Sequence, residues 1–156
     1  MNIFFLHEDP VVAAQYHVDK HCVKMILESC QLLCNYHWER GIEAPYKKTH
    51  FNHPCSKWVR KNGRNYNWLL KLLFALLDEY EYRYNNPNHG CKKVADWLKE
   101  NAPKVKGQHD PLPQCMPDQY KSDCSITAYR EYYINEKNHF AKWSKRSIPE
   151  WFISKN

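Results

Sequence analysis

The sequence predicts a mostly α-helical protein, and three observations support this prediction. The chain has 156 residues but only four glycines, and such a composition favours long helices over many tight turns. Apolar residues make up 43% of the sequence, which is sufficient for a hydrophobic core and argues against a disordered chain. Apolar residues also recur every three to four positions over long stretches. We expect one compact helical domain over residues 1–156, with a short N-terminal extended segment and a Pro-rich wrapping loop.

The first half of the chain carries clear boundary signals. Residues 2–6 are bulky and apolar, which predicts a short β or extended segment. Asp9 can cap a helix, and Pro10 suits the first helical position. Since no glycine or proline follows before Gly41, the sequence predicts one long helix from Val11 to about Trp38.

The second half is predicted to form three further helices. Pro54 opens the first of them, and Asn62-Gly63 is expected to kink or break it before residues 64–84. The core candidates of the stretch 64–84 are Leu69, Leu70, Leu72, Leu73, Leu76 and Leu77. The remaining elements are a helix over 89–100, an ordered Pro-rich loop over 102–121, a helix over 123–143 and an aromatic clamp over 148–152.

Charge and cysteine content indicate the compartment and the partners. The net charge of +6 suits a polyanion such as DNA. No apolar run approaches the roughly 18 residues that cross a bilayer, and Asp9-Pro10 interrupts the only candidate signal peptide. The seven cysteines are an odd number, which is typical of reduced thiols in a cytosolic protein, in the host cell if the source is viral. We expect no membrane association and leave the oligomeric state open.

A polar stripe accompanies the apolar face of the first helix. Steps of three and four residues place its members on one side of an α-helix: His17, His21, Lys24, Glu28, Gln31 and Asn35. One interpretation is an ordinary solvated face. The other is a cleft wall, in which Lys24 and Glu28 influence each other's protonation, so that an amine acts as a nucleophile and a carboxylate moves protons.

The segment from Thr49 to Cys55 lies immediately before a predicted helix start. Helix N-termini attract anions, and the basic or polar residues around this one predict a phosphate-binding corner: Lys47, Lys48, His50, Asn52, His53 and Lys57. The competing interpretation is a metal site formed by His17, His21, His50 and His53, with Cys55 as a further ligand. No CxxC or HExxH motif supports it, so we predict no metal and no cofactor.

Aromatic residues alternate with arginines in the second half of the chain. Most of these rings are expected to be core residues. A minority predicts a surface on which bases stack and phosphates bind, and the candidates are Arg60, Arg64, Tyr129 and Arg130.

A series of motifs follows in order along most of the chain. It comprises the short apolar start, Gln15-Tyr16-His17-Val18-Asp19-Lys20-His21, Lys24, Glu28, Gln31-Leu32-Leu33, His53-Pro54 with Trp58, Tyr66, Glu79-Tyr80, Arg83, Met116-Pro117-Asp118 and the helix with Tyr129, Arg130 and Tyr132. In this order the chain resembles the pyrimidine-dimer DNA glycosylases of phages and bacteria, the endonuclease V superfamily.

The resemblance implies a compact all-α DNA-repair enzyme with glycosylase and AP-lyase chemistry. Such enzymes cut the glycosidic bond through an imine, and in the best-known branch the amine is the N-terminus after removal of methionine. A glutamate of the first long helix assists, which corresponds by position to Glu28. Here residue 2 is asparagine, which is too bulky for efficient methionine removal. The amine is then that of Met1 or Asn2, or a lysine such as Lys20 or Lys24, or the lyase chemistry is absent.

His21 completes the set of catalytic candidates, which are Asn2, Lys20, His21, Lys24 and Glu28. Two other functions stay open at the level of sequence. One is a non-catalytic nucleic-acid-binding module on the same scaffold. The other is a metal-dependent nuclease or hydrolase that uses the four histidines.

Overall fold

The structure is a computed structural model that describes residues 2–153. Within these residues the chain forms seven α-helices and no β-strand, which confirms the mostly α-helical prediction. The helices are α1 (Pro10–Tyr16), α2 (Asp19–Glu39), α3 (Pro54–Lys61), α4 (Gly63–Tyr84), α5 (Lys92–Glu100), α6 (Ser125–Glu136) and α7 (Glu150–Ile153), with 3₁₀ turns at Asp118–Tyr120 and Asn138–Phe140.

The N-terminal segment is extended, as predicted, and passes through the middle of the helices. Ile3, Phe4, Phe5 and Leu6 are all buried. The Phe5 ring packs against Trp68 of α4 at a centroid distance of 5.0 Å. Burial of each such side chain contributes about 1.5–3 kcal/mol, so the core holds this segment in place without a strand partner.

The prediction of a single long first helix is wrong, because α1 ends at Tyr16 and α2 begins at Asp19. His17 and Val18 between them are extended. The buried Arg83 of α4 donates to the carbonyl oxygens of His17 at 2.7 Å and Gln15 at 3.0 Å. These carbonyls lack helical partners at a helix end, and a side chain distant in sequence satisfies them.

Asp19 fixes the same break from the C-terminal part of the chain. Its backbone N–H donates to the carbonyl of Lys142 at 2.7 Å. Its carboxylate accepts from the backbone N–H and the hydroxyl of Ser144 at 2.9 and 2.5 Å. It also pairs with Arg83 at 3.1 Å. None of these contacts is local, which explains why the helical pattern runs through the break.

The other helix boundaries follow the sequence more closely. Asn62 separates α3 from α4 and caps α4, since its Oδ1 accepts from the Asn65 N–H at 2.9 Å. The leucine prediction is confirmed in the main: Leu69, Leu72, Leu73 and Leu76 are buried, and Leu70 and Leu77 are partly buried against the same cluster. The helix predicted over 89–100 begins later, at Lys92, and that over 123–143 is shorter and ends at Glu136.

The Pro-rich loop wraps the outside of α3 and α4. The Trp58 indole donates to the Pro111 carbonyl at 3.0 Å, and the Asp110 N–H donates to the Asn65 side chain at 2.8 Å. Gly63 lies so close to the loop that a Cβ there would stand 2.6 Å from a methyl of Val105. The close approach therefore requires a glycine at the start of α4.

The C-terminal aromatic residues lie against α1 and the segment after α6. The Trp151 ring packs on Tyr16 at 5.7 Å, and Phe152 packs on Trp143 at 4.9 Å. This arrangement agrees with the predicted aromatic clamp. No helix in residues 2–153 is long and apolar enough to span a membrane.

Candidate active site

The described chain begins at a junction between the Pro-rich loop and the start of α3. The side-chain amide of Asn2 donates to the Cys115 carbonyl at 2.8 Å. The backbone N–H of Ile3 donates to the thiol of Cys55, whose Sγ lies 3.6 Å from that of Cys115. We call Asn2, Ile3, His53, Cys55 and Cys115 the N-terminal corner.

The polar face of α2 contacts both sides of this corner. Towards its start, the His21 ring stacks on Phe4 at 4.3 Å with an interplanar angle of 14°. Towards its end, the Asn35 amide donates to the Ser56 hydroxyl at 3.0 Å. One face of α2 therefore spans from the N-terminal segment to the first turn of α3.

Glu28 lies on this face, midway between the two contacts. It is seven residues from His21 and seven from Asn35, which is nearly two full helical turns in each direction. Glu28 is thus placed on the face of α2 between the Phe4 contact and the Ser56 contact. Glu28 is half-buried, and its Oε2 has no contact with solvent.

The two lysines proposed as alternative amines face solvent. Lys20 and Lys24 are both exposed on α2. The Lys20 ammonium sits over the Phe140 ring at 5.0 Å, on the α6 side of the helix. Lys24 precedes Glu28 by about one helical turn and therefore lies on the same side of α2 as this carboxylate.

The histidines of the stripe are buried structural residues. His17 Nδ1 lies 2.7 Å from the Ala13 carbonyl, and His21 Nδ1 lies 2.7 Å from the Tyr133 hydroxyl. Burial lowers the pKa of His17 to about 4 and, together with the charges of His17, Lys137 and Lys24, lowers the pKa of His21 to about 3. Both rings are neutral at pH 7, so His21 does not fit the role of a general acid there.

The loop before α3 presents the predicted anion-binding residues to solvent. Asn35 fixes the loop, because its amide donates to the Thr49 carbonyl at 2.7 Å. His50 adopts a left-handed backbone with φ of 50°, which turns the chain sharply before α3. The exposed members of the predicted anion site are Lys47, Lys48, His50, Asn52 and Lys57.

His53 is the N-cap of α3 and links the loop to the corner. Its Nδ1 accepts from the Cys55 N–H at 3.0 Å. Burial is the main cause that lowers the pKa of this histidine. The Cys55 N–H is one of the free backbone donors at the start of α3 that were predicted to bind an anion, and here it donates to His53 instead.

The sequence of the chain matches a known protein family over its first four helices. Residues 1–93 of the 156 match pyrimidine dimer DNA glycosylases, which is more than half of the chain. The chain belongs to the pyrimidine dimer DNA glycosylase family. This confirms the resemblance drawn from the motifs. No match was found among curated proteins or among solved structures.

Membership of this glycosylase family implies DNA as the substrate. The matched residues include the N-terminal segment and α1 to α4, and therefore Asn2, Glu28 and His53. Cys115 lies outside the matched range. All residues of the N-terminal corner except Cys115 thus lie within the glycosylase match.

Arg60 does not fit the phosphate contact that the sequence assigned to it. It is buried, and its guanidinium donates to Glu39 at 3.0 Å, to the Ser56 hydroxyl at 2.7 Å and to the Phe51 carbonyl. It also stacks on the Phe51 ring at 3.6 Å. Arg60 instead ties the loop before α3 to α2 and α3.

Tyr129 and Arg130 require the same correction. Tyr129 is fully buried, and its hydroxyl donates to the Pro113 carbonyl and accepts from the Cys115 N–H at 3.2 Å. Burial raises its pKa. Arg130 donates to the Leu6 carbonyl at 2.9 Å. Both residues fix the Pro-rich loop and the N-terminal segment, whereas Arg64 remains exposed beside Asp110 at 3.6 Å.

The structure does not bring the four predicted metal-binding histidines together. Within residues 2–153, a group of three or more potential ligands occurs only at His53, Cys55 and Cys115. The buried rings of His17 and His21 instead contact Ala13 and Tyr133. Cys115 was missed in the sequence, because it lies 60 residues beyond Cys55 with no spacing motif to connect them.

Proposed function

We propose that this family member is a DNA glycosylase and AP lyase that acts on damaged pyrimidines in DNA. The nucleophile in this proposal is the chain's own N-terminal amine, and Glu28 is the carboxylate that moves protons. Two observations support it: Asn2 is held at the N-terminal corner by Cys115, and the α2 face that carries Glu28 contacts Phe4 and Ser56, which adjoin this corner. The proposal applies whether residue 1 or residue 2 bears the amine.

The chemistry favours an α-amine over an ordinary lysine at neutral pH. The pKa of an α-amino group is about 8, whereas that of a typical lysine side chain is about 10.4. About one α-amine in ten is therefore unprotonated at pH 7, against fewer than about one lysine in a thousand. Only the unprotonated form can attack carbon.

In the proposed reaction the amine nitrogen bonds to C1′ of the damaged nucleotide. The bond from C1′ to the base breaks, and the base leaves with the electron pair and takes up a proton. The C1′–O4′ bond then opens to give an imine, and O4′ gains a proton. Glu28 accepts a proton from the amine, stabilises the cationic sugar and returns the proton to O4′.

The lyase step follows from the imine. Loss of a C2′ proton allows the electron pair to form a double bond, and the C3′–O bond breaks to release the 3′ phosphate. Water then hydrolyses the imine and restores the amine. No external oxidant or reductant is required, and we propose that no cofactor takes part.

The exposed lysines around the loop before α3 supply the proposed DNA contacts. Lys47, Lys48 and Lys57 are exposed within a short stretch next to the N-terminal corner. Phosphate contacts of this kind give affinity that falls steeply with salt. Lys24 lies on the same side of α2 as Glu28 and extends this basic surface.

We further propose that residues 1–156 act as one domain inside a reducing compartment. One buried cluster connects the N-terminal segment, the helices and the Pro-rich loop. All seven cysteines lie in the described part of the chain, and each is a free thiol there.

The test is strand incision of a duplex that carries a single pyrimidine dimer. We expect cleavage at the dimer in the presence of EDTA, and no cleavage of the same duplex without the lesion. Binding without incision would support a non-catalytic module instead. Incision that EDTA abolishes would support a metal-dependent nuclease, and either result would reject the proposal.

A further inference from the structure

Three soft metal ligands converge at the N-terminal corner. The potential ligand atoms of His53, Cys55 and Cys115 all lie within 4.8 Å of one another. The two sulfur atoms are 3.6 Å apart. His53 and Cys55 come from the start of α3, whereas Cys115 comes from the Pro-rich loop.

The spacing of the sulfur atoms matches a shared metal ion. Two thiolates bound to tetrahedral zinc at about 2.3 Å lie about 3.8 Å from each other. The observed sulfur–sulfur distance of 3.6 Å is close to this value, so the two sulfur atoms need to move little to bind one ion. A disulfide needs the sulfur atoms at about 2.05 Å, and a disulfide would leave His53 without a part in the cluster.

The surrounding structure holds each ligand in place. Cys55 is fully buried in the first turn of α3. Cys115 is fixed at its N–H by the Tyr129 hydroxyl and at its carbonyl by Asn2. His53 is fixed by the hydrogen bond that its Nδ1 accepts from Cys55, and metal binding rearranges this one bond in exchange for metal–ligand bonds.

The donor set selects the class of ion. Two thiols and an imidazole are soft or intermediate ligands, which favour zinc over magnesium or calcium. Three protein ligands leave one position of a tetrahedron for water or another group.

We propose that His53, Cys55 and Cys115 bind one zinc ion, which joins the start of α3 to the Pro-rich loop. His53 and Cys55 lie within the residues that match the family, whereas Cys115 lies beyond them. The Cys115 carbonyl accepts from the Asn2 side chain, so the proposed zinc site adjoins the proposed glycosylase site.

The test uses the reduced, full-length protein and cobalt as a spectroscopic substitute for zinc. We expect one equivalent of Co²⁺ to produce thiolate-to-metal charge-transfer absorption and tetrahedral ligand-field bands, and one equivalent of Zn²⁺ to remove them. Cys115→Ser should weaken binding by at least about 100-fold. Cys124→Ser changes an exposed cysteine of the same region and should leave binding unchanged.

A second variant guards against loss of folding. His53→Asn keeps a side chain that caps helices well but removes the imidazole, and it should weaken Zn²⁺ binding by about 10-fold or more. Absence of thiolate bands would overturn the site, as would equal binding by the Cys115 and Cys124 variants. A Cys55–Cys115 disulfide with no bound metal, found by mass spectrometry, would overturn it too. No DNA is used, so these results are independent of the glycosylase proposal.

Discussion

Two regions of the molecule contain several cationic side chains, and these cations differ in their exposure to solvent. The arginine network, formed by Asp19, Glu79, Arg83 and Arg146, lies between α2, α4 and the segment after α6. Arg83 pairs with Glu79 at 3.0 Å, and Arg146 pairs with the same carboxylate at 2.7 Å. At the N-terminal corner, by contrast, the nearby cations Lys47, Lys48 and Lys57 are exposed.

The difference separates charges that stabilise the fold from charges that are available to a ligand. In the arginine network, acid and base neutralise each other inside the protein, and the helix ends receive the remaining donors. Near the N-terminal corner, Arg60 is buried, whereas Lys47, Lys48 and Lys57 face solvent. Arginine suits fixed, multidentate contacts, whereas lysine presents a mobile point charge. If the two regions have separate roles, a substitution in the arginine network should change stability, and one near the N-terminal corner should change activity or DNA binding.

The largest effect is expected from Glu28→Gln. The amide cannot accept a proton, so incision of dimer-containing DNA should fall by about 10²–10⁴-fold. DNA affinity, measured by fluorescence anisotropy, should change by no more than about threefold. Glu81→Gln alters an exposed carboxylate on α4 and serves as the control. Unchanged incision by the Glu28 variant would remove this residue from the mechanism.

The next largest effect is expected from Arg83→Met in the arginine network. The substitution removes the buried cation that pairs with the buried Glu79 and the partly buried Asp19, which should lower the free energy of unfolding by about 3–5 kcal/mol. Urea denaturation measures this loss. Lys71→Met, on the exposed side of the same helix, should change stability by less than about 0.5 kcal/mol. Activity per folded molecule should survive, and its loss would contradict the separation of the two regions.

Acid should destabilise the protein through His17 and His21. Their pKa values are lowered in the folded state, to about 4 and about 3, so the unfolded chain binds more protons below pH 6.5. Stability is therefore full above about pH 6.5 and falls as the pH drops towards these values. Arg83 and Glu79 also face His17, but with opposite effects on its charge.

The size of this acid effect is about 2 kcal/mol per histidine between pH 7.5 and pH 5. Urea denaturation at both pH values measures it. His17→Gln should reduce the difference by about that amount, whatever its effect on stability at pH 7.5. A pH dependence that is identical in the variant would show that His17 is not buried in its neutral form.

The smallest effect per residue is expected from the exposed lysines. Replacement of Lys47, Lys48 and Lys57 by alanine should lower the slope of log affinity against log salt by up to about 3, about one unit for each phosphate contact. Incision at saturating enzyme should be retained. The triple variant of Lys71, Lys104 and Lys142, which are exposed elsewhere, should keep the original slope, and equal slopes would remove the corner from the DNA surface.

Local signals in the sequence predicted most of the fold. Asp9-Pro10 and Pro54 mark helix starts, and the leucines of α4 mark its buried face. The break before Asp19 was not predictable, because Arg83 and Ser144, both distant in sequence, stabilise it. The same reason applies to the shorter α6, whose continuation is replaced by contacts with Asp19.

The candidate site was predicted in part. The polar stripe was predicted in part: His21, Glu28 and Asn35 share a face of α2, but His17 lies in the extended break before that helix. The pattern also could not distinguish the buried His21 from the half-buried Glu28. Residue type alone also could not show that Arg60 is internal while Lys57 is exposed. Cys115 could not be found, because only the fold brings the Pro-rich loop to α3.

The most direct test of the central claim is borohydride trapping on dimer-containing DNA, followed by mass spectrometry of the cross-linked peptide. Reduction of the imine makes the bond between protein and sugar permanent. If the N-terminal amine is the nucleophile, the adduct should lie on that amine. Lys20→Ala and Lys24→Ala should then leave trapping intact. An adduct on either lysine, or no adduct despite incision, would contradict it.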